Sequence, residues 1–117
     1  MERVRSLKKG GRLVVLGAGE SGCGAALLAK QKGFEVLVSD KGAIAGPFKK
    51  VLKQAGVSWE EGGHSESRIL GAELCVKSPG IPDHVPIVTR LRAGRVPVVS
   101  EIEFASWYCE APMVAIT

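Results

Sequence analysis

Aromatic side chains make up only 5% of this chain, which argues against a surface built to stack nucleic-acid bases. Cysteine is sparse too. Cys23, Cys75 and Cys109 form no C-x-x-C pair and no zinc spacing, so neither a disulfide framework nor a metal knuckle is expected. Cys23 falls in a predicted helix and Cys75 in a predicted strand, where a free thiol serves as a small buried hydrophobe. The two histidines, His64 and His84, fall in predicted loops with no metal-binding or catalytic partner in the sequence, and both are expected to be solvated. No apolar run approaches the length that spans a bilayer, and "MERVRSLKKGGR" lacks the apolar core of a signal peptide. The expected compartment is the cytoplasm.

What is present is one domain's worth of chain. Its 117 residues are 45% hydrophobic and 24% charged, enough to bury a core in a soluble α/β domain, and 15 of them are glycine. The net charge is +4, but Lys8-Lys9, Lys49-Lys50, Arg90, Arg92 and Arg95 are spread over different elements. Dispersed charge of this kind suits a solvated surface that helps hold a phosphate, and it does not suit a nucleic-acid stripe.

The apolar pattern alternates between strand and helix throughout. "RLVVLG" reads as a strand buried on both faces, followed by a helix from Ser21 to Lys32 with Gly33 as its stop. "EVLVSD" is a second strand closing on Asp40, and "KGAIAG" a loop. Pro47 opens the next helix, in which Phe48, Val51, Leu52 and Ala55 share a face, and Gly56 ends it. "VSW" is a short third strand, and "SESRIL" a brief helix with Ser65 as candidate N-cap. "ELCVK" is a fourth strand, and a helix carrying Val88, Leu91 and Arg92 is closed by Gly94. "VPVVS" is a fifth strand, "EIEFASWY" a helix, and "PMVAIT" a sixth strand. Such alternation predicts an α/β fold: a Rossmann-like, doubly wound, mostly parallel sheet with helices on both faces.

The chemistry concentrates at Gly17-Ala18-Gly19-Glu20-Ser21-Gly22. Gly17 permits a tight turn, Gly19 lets backbone approach a phosphate, and Gly22 lets the helix lie close on the sheet. Gly22, Ala25, Ala26 and Ala29 share one helical face made of small residues. The helix N-terminus then offers free N–H groups to an anion, and Ser21 either adds its hydroxyl or serves as a plain N-cap. Asp40, at the tip of the next strand, stands near the expected interval for an acceptor of ribose or base. A nucleotide is the favoured ligand, and glycine spacing alone does not separate NAD from UDP. "KSPGIP" leaves the fourth strand at the same sheet edge, where Pro79 and Pro82 bracket Gly80 in a rigid turn. Glu101 and Glu103, two apart on a helix, share no face and read as an acidic helix start. Trp59 and Trp107 read as core or domain-contact residues.

Taken together, "VVLGAGESG", "VSD", "KSPGIP", "SEIE" and "MVAIT" in this order resemble the N-terminal domain of the Mur ligases, most similar to the members that add D-glutamate. The resemblance covers nearly the whole chain. It implies residues 1–108 as a UDP-substrate-binding domain, and 109–117 as a linker and first strand of a central ATP-binding domain. It also implies a cytoplasmic, ATP-dependent amide-forming enzyme of peptidoglycan precursor synthesis. Its substrates would be UDP-MurNAc-L-alanine and D-glutamate, with ATP and Mg2+ held by other domains. No nucleic acid or membrane partner is implied, and a monomer is expected.

By position, the resemblance places the diphosphate at Gly17, Gly19, Glu20, Ser21 and Gly22, and the uracil and ribose at Asp40, Lys41 and Gly42, with Asp40 accepting from the uracil. The Ser78-Pro79-Gly80 turn would close over the nucleotide. No catalytic residue and no metal ligand is implied in this chain, so it is expected to bind without catalysing. Two departures stand out. Glu20 sets a carboxylate beside the expected diphosphate and must point to solvent, and Gly42 replaces a longer side chain, for which Lys41 can compensate. The rival readings are an NAD-binding oxidoreductase domain, which gives no account of "KSPGIP" or of the terminal strand, and a regulatory nucleotide-sensing module, which would be expected to dimerise.

Overall fold

A computed structural model describes residues 11–108. Five strands alternate with five helices: β1 (Arg12–Leu16), α1 (Glu20–Gln31), β2 (Glu35–Asp40), α2 (Gly46–Gln54), β3 (Ser58–Glu61), α3 (Glu66–Ile69), β4 (Leu74–Lys77), α4 (Pro86–Ala93), β5 (Val98–Ser100) and α5 (Glu101–Ser106). The strands form one sheet in the order β3-β2-β1-β4-β5, and every pairing is parallel. This is the doubly wound architecture expected from the alternating pattern, with the order reversing between β1 and β4.

The period of two along each strand divides the core between two faces. Leu13, Val15, Val36, Val38, Leu74 and Val76 point to one face, where they meet the alanines of α1, Leu52 of α2 and Phe104 of α5. Val14, Leu16, Leu37 and Cys75 point to the other and meet Ile69 of α3 with Ile87, Val88 and Leu91 of α4. Strands covered on both sides have no need of polar alternation, which is why β1 reads as an unbroken apolar run. Phe104 anchors an aromatic corner, edge-on to Phe34, Trp107 and Tyr108 at 5.4–6.4 Å. Trp59 and Trp107 both pack against the first core. Cys23 and Cys75 are free and buried, and burial pushes the Cys75 thiol up to about 12.

Several local readings are corrected. The third strand is Ser58–Glu61 rather than "VSW"; Val57 is buried ahead of it. Val51 is exposed, so α2 buries Leu52 with half-buried Phe48 and Ala55. Ser65 occupies the N-cap position of α3 without a side-chain capping bond. At the end of α4, Gly94 keeps a right-handed backbone and Arg95 takes the left-handed conformation at φ 65°. The sixth strand, Cys109 and the domain boundary after residue 108 lie outside the described residues.

Candidate functional site

The loops after β1, β2, β3 and β4 converge at the C-terminal edge of the sheet, where open α/β folds bind ligands. Backbone bonds tie them together. Gly17 N–H donates to Ser39 O at 2.9 Å, Ser78 N–H to Leu16 O at 3.0 Å, and Gly63 N–H to Asp40 O at 3.3 Å. Gly17 has φ +97°, and a Cβ there would fall 2.8 Å from Ser78 Cβ. Glycine at this position therefore lets the two loops touch. A Cβ on Gly22 would fall 2.0 Å from Gly17 O, so this glycine lets the helix start pass directly over the turn. Around Gly19 there is nothing within 4 Å of the same probe.

The helix start has the features that suit an anion. Gly19, the N-cap of α1, has no side chain to cap the helix, so the first-turn N–H groups find no side-chain acceptor among the described residues. The N-cap reading of Ser21 is thereby overturned: Ser21 lies inside the first turn, exposed beside Glu20.

Asp40 acts as a clasp. Its Oδ2 accepts from Ala18 N–H at 2.8 Å and its Oδ1 from Gly42 N–H at 2.9 Å, fixing the first two loops relative to each other. The fourth-strand loop is braced separately, by Lys77 Nζ donating to Ile81 O at 2.6 Å and lying 3.5 Å from Asp83.

Between these loops lies a cavity of about 710 Å³, within the range that takes a nucleotide-sized ligand. Of the residues expected from sequence, Gly17, Gly19, Asp40, Lys41, Ser78 and Gly80 line it. Glu20, Ser21, Gly22, Gly42 and Pro79 are not among its lining residues: Gly22 is buried and the other four are exposed. One wall is apolar, from Ile81, Pro82, Val85, Pro86 and Ile87, and the ion pair between Arg90 and Glu66 stands on its lining. A smaller hollow of about 130 Å³, walled by Arg12, Glu35 and Arg68 among others, is too small for such a ligand.

His64 corrects the expectation of a solvated loop residue, because it lines the cavity and is half-buried. Its Nδ1 lies 2.7 Å from Ser39 Oγ, and that hydroxyl donates to Glu60 Oε2 at 2.6 Å. Burial pushes Glu60 up. The hydrogen bonds from Ser39 and Ser65 and the Arg68 guanidinium outweigh it and hold the carboxyl below its usual range. Burial holds His64 below the ordinary histidine value, with Lys41 pushing the same way and Glu60 and Asp40 opposing. His84 is exposed, as expected. Glu101 stands in the first turn of α5 as expected; it is also only 8% exposed, and its Oε2 has no hydrogen-bond partner among the described residues. Glu103 N–H is capped by Ser100 Oγ at 3.0 Å.

Among the described residues, no group of three or more His, Cys, Asp or Glu side chains is placed to hold a metal. None of their helices is long and apolar enough to cross a membrane.

A family model described as the MurD N-terminal domain matches residues 12–87. The UDP-N-acetylmuramoylalanine–D-glutamate ligase of Bacteroides fragilis is 56% identical over 106 residues, 91% of this chain and 24% of that protein. The ligase of the same name from Christiangramia forsetii is 50% identical over 108 residues, 92% of this chain and 24% of that protein. The chain thus spans about a quarter of the length of these curated relatives. Among solved structures, a pseudomurein peptide ligase type C from Methanothermus fervidus superposes with TM-score 0.75 at 26% identity, over 87% of this chain and 21% of that one. A murein peptide ligase from Psychrobacter arcticus gives TM-score 0.75 at 27% identity, over 85% and 21%.

Proposed function

The chain belongs to the MurD N-terminal domain family, and from that premise we propose that it binds the UDP end of UDP-MurNAc-L-alanine. The protein it serves would be a cytoplasmic, monomeric ligase that joins D-glutamate to that substrate in peptidoglycan precursor synthesis. In the proposed reaction ATP phosphorylates the L-alanine carboxylate, and the D-glutamate amine attacks the acyl phosphate, giving an amide, ADP and phosphate. ATP and Mg2+ belong to other parts of the enzyme on this reading. Residues 1–108 form the substrate-binding domain, and 109–117 lead to the central one.

One observation carries the proposal. The glycine turn, the Asp40 clasp and the Ser78-Pro79-Gly80 turn, spread from Gly17 to Gly80 in sequence, border a single cavity whose phosphate end would be a helix N-terminus with uncapped N–H groups. The diphosphate would rest over Gly19, with Glu20 and Ser21 at its flank and Glu20 turned to solvent. Asp40 keeps a second lone pair on each oxygen for the nucleoside, and Lys41 adds a positive charge. Gly42 and Pro79 shape their turns. An amide NMR titration of the 117-residue chain with UDP, UDP-MurNAc-L-alanine and NAD tests this reading. The uridine ligands are expected to shift Gly19, Ser21, Asp40 and Gly80 together while NAD does not. Shifts from NAD alone would replace the ligase reading with a dinucleotide one.

A further inference from the structure

Lys77 ends β4 with an ammonium on a side chain only 14% exposed. A charge so far withdrawn from water is tolerated when its donors are met, and an ammonium has three of them. All three acceptors stand in the loop that follows: Ile81 O at 2.6 Å, Ser78 O at 3.4 Å and Asp83 Oδ1 at 3.5 Å. Asp83 is held in turn by Arg92 of α4 at 3.3 Å. Ser78 O also accepts Ile81 N–H at 3.1 Å, which closes the turn around Pro79 and Gly80. One cation therefore grips both ends of that turn and the residue that leads out of it.

Ser78, Gly80 and Ile81 line the cavity, whereas Lys77 does not. The two carbonyl oxygens are thus drawn to a cation that stands outside the lining. Gly80 N–H is left with a long contact of 3.4 Å to Ser78 Oγ. A Pro-Gly pair fits both common turn forms, and Gly80 does not adopt the left-handed backbone that one of them requires, so the turn's own sequence does not fix how it sits. We infer that Lys77 is a positioning residue for the nucleotide: its ammonium holds the Ser78–Ile81 turn in the form that closes over the ligand, without touching the ligand itself. A loop fixed in advance spares the ligand the cost of ordering it. The inference rests on the uridine reading of the site.

Amide NMR titration of the unaltered chain, Lys77→Met and Lys77→Arg with UDP tests this role. Methionine keeps an apolar stem and removes every donor. Lys77→Met should bind UDP about tenfold more weakly, the scale of one hydrogen bond to a charged group. The ligand-induced shift at Gly80 should be lost in this variant while those at Gly19 and Ser21 remain. Lys77→Arg, which returns donors, should recover the Gly80 shift and most of the affinity. Hydrogen exchange at Ile81 N–H should be about tenfold faster in Lys77→Met, with Val15 and Val38 of the central strands unchanged. Ammonium 15N spectra of the unaltered chain supply a readout that does not depend on a variant folding, and they should show the Lys77 protons exchanging more slowly than those of exposed lysines. Unchanged UDP affinity in Lys77→Met, equal loss of the Gly19 and Gly80 shifts, or Lys77 protons exchanging as fast as those of exposed lysines would each overturn the positioning role and leave uridine binding intact. A response to NAD with none to UDP would instead overturn the uridine reading itself.

Discussion

Gly19 and Gly22 stand in the same turn, yet a methyl group at each meets opposite surroundings. At Gly22 it would overlap Gly17 O at 2.0 Å, so the turn or the helix must move. Gly22→Ala should cost about 3 kcal/mol or more, the upper range for forcing atoms into a packed site, and should abolish UDP binding with it. At Gly19 the methyl enters open space from an extended backbone at φ −80°. Gly19→Ala should leave stability within about 1 kcal/mol, yet weaken UDP about tenfold by occupying the phosphate's approach. Thermal unfolding and the NMR titration on both variants check the pair; parallel losses in the two would deny Gly19 a ligand role. These glycines were legible because their job is local, whereas His64 was not. Its partners Ser39 and Glu60 lie on different strands and meet only through the Ser39↔Glu60 register, which no spacing in the sequence displays. The burial of Glu101 was not legible for a similar reason: α5 begins at the residue after β5 with no loop between them, which leaves the carboxylate buried near Gly22.

Elements buried on both faces announce themselves, and elements at the rim do not. β1, α1 and β2 emerged close to their observed bounds because apolar runs, a stop glycine and Asp40 punctuate them. β3 pairs only with β2 and carries Trp59, Glu60 and Glu61, so its polar half reads as loop. The helix ends bear on stability directly. Gly24 sits on the exposed side of α1 with nothing within 4 Å of an added Cβ, so Gly24→Ala should stabilise the chain by about 0.5–1 kcal/mol. Beyond α4, Arg95 holds φ 65° where a β-carbon is unfavourable, and Arg95→Gly should gain about 0.5–1 kcal/mol once the added chain entropy is set against the relieved strain. Urea unfolding of the two variants measures both. Neither site touches the cavity lining, so UDP affinity should not change in either.

At the scale of the whole molecule, alternating elements and right-handed crossovers were enough to anticipate a sheet reversing at its middle, since few other topologies satisfy them. The convergence of four loops on one edge follows from that topology, while the side chains that meet there depend on register. The same packed core sets how stability responds to pH. His64, Glu60 and Glu61 all titrate lower in the folded chain than is usual, His64 through burial and Glu61 through the Ile44 N–H and Lys49. On acidification the unfolded chain therefore binds protons first, and stability falls in two stages, through the histidine range and then the carboxylate range. Cys75, Cys23 and Tyr108 titrate higher in the folded chain because they are buried. On that side the unfolded chain loses protons first, so stability is complete below the ordinary thiol range and declines as pH rises toward the folded values. Cys75, pushed up to about 12, dominates the alkaline limb. Urea midpoints measured from about pH 4 to about pH 11 should thus trace a dome with its top near neutrality. Cys75→Ala should lower the top by about 1 kcal/mol through its small cavity and flatten the alkaline limb, while His64→Phe should flatten only the first acid stage. An alkaline limb unchanged in Cys75→Ala would mean that the sheet interior opens to solvent before the thiol ionises, and that the two-sided core around β4 is less closed than its packing indicates.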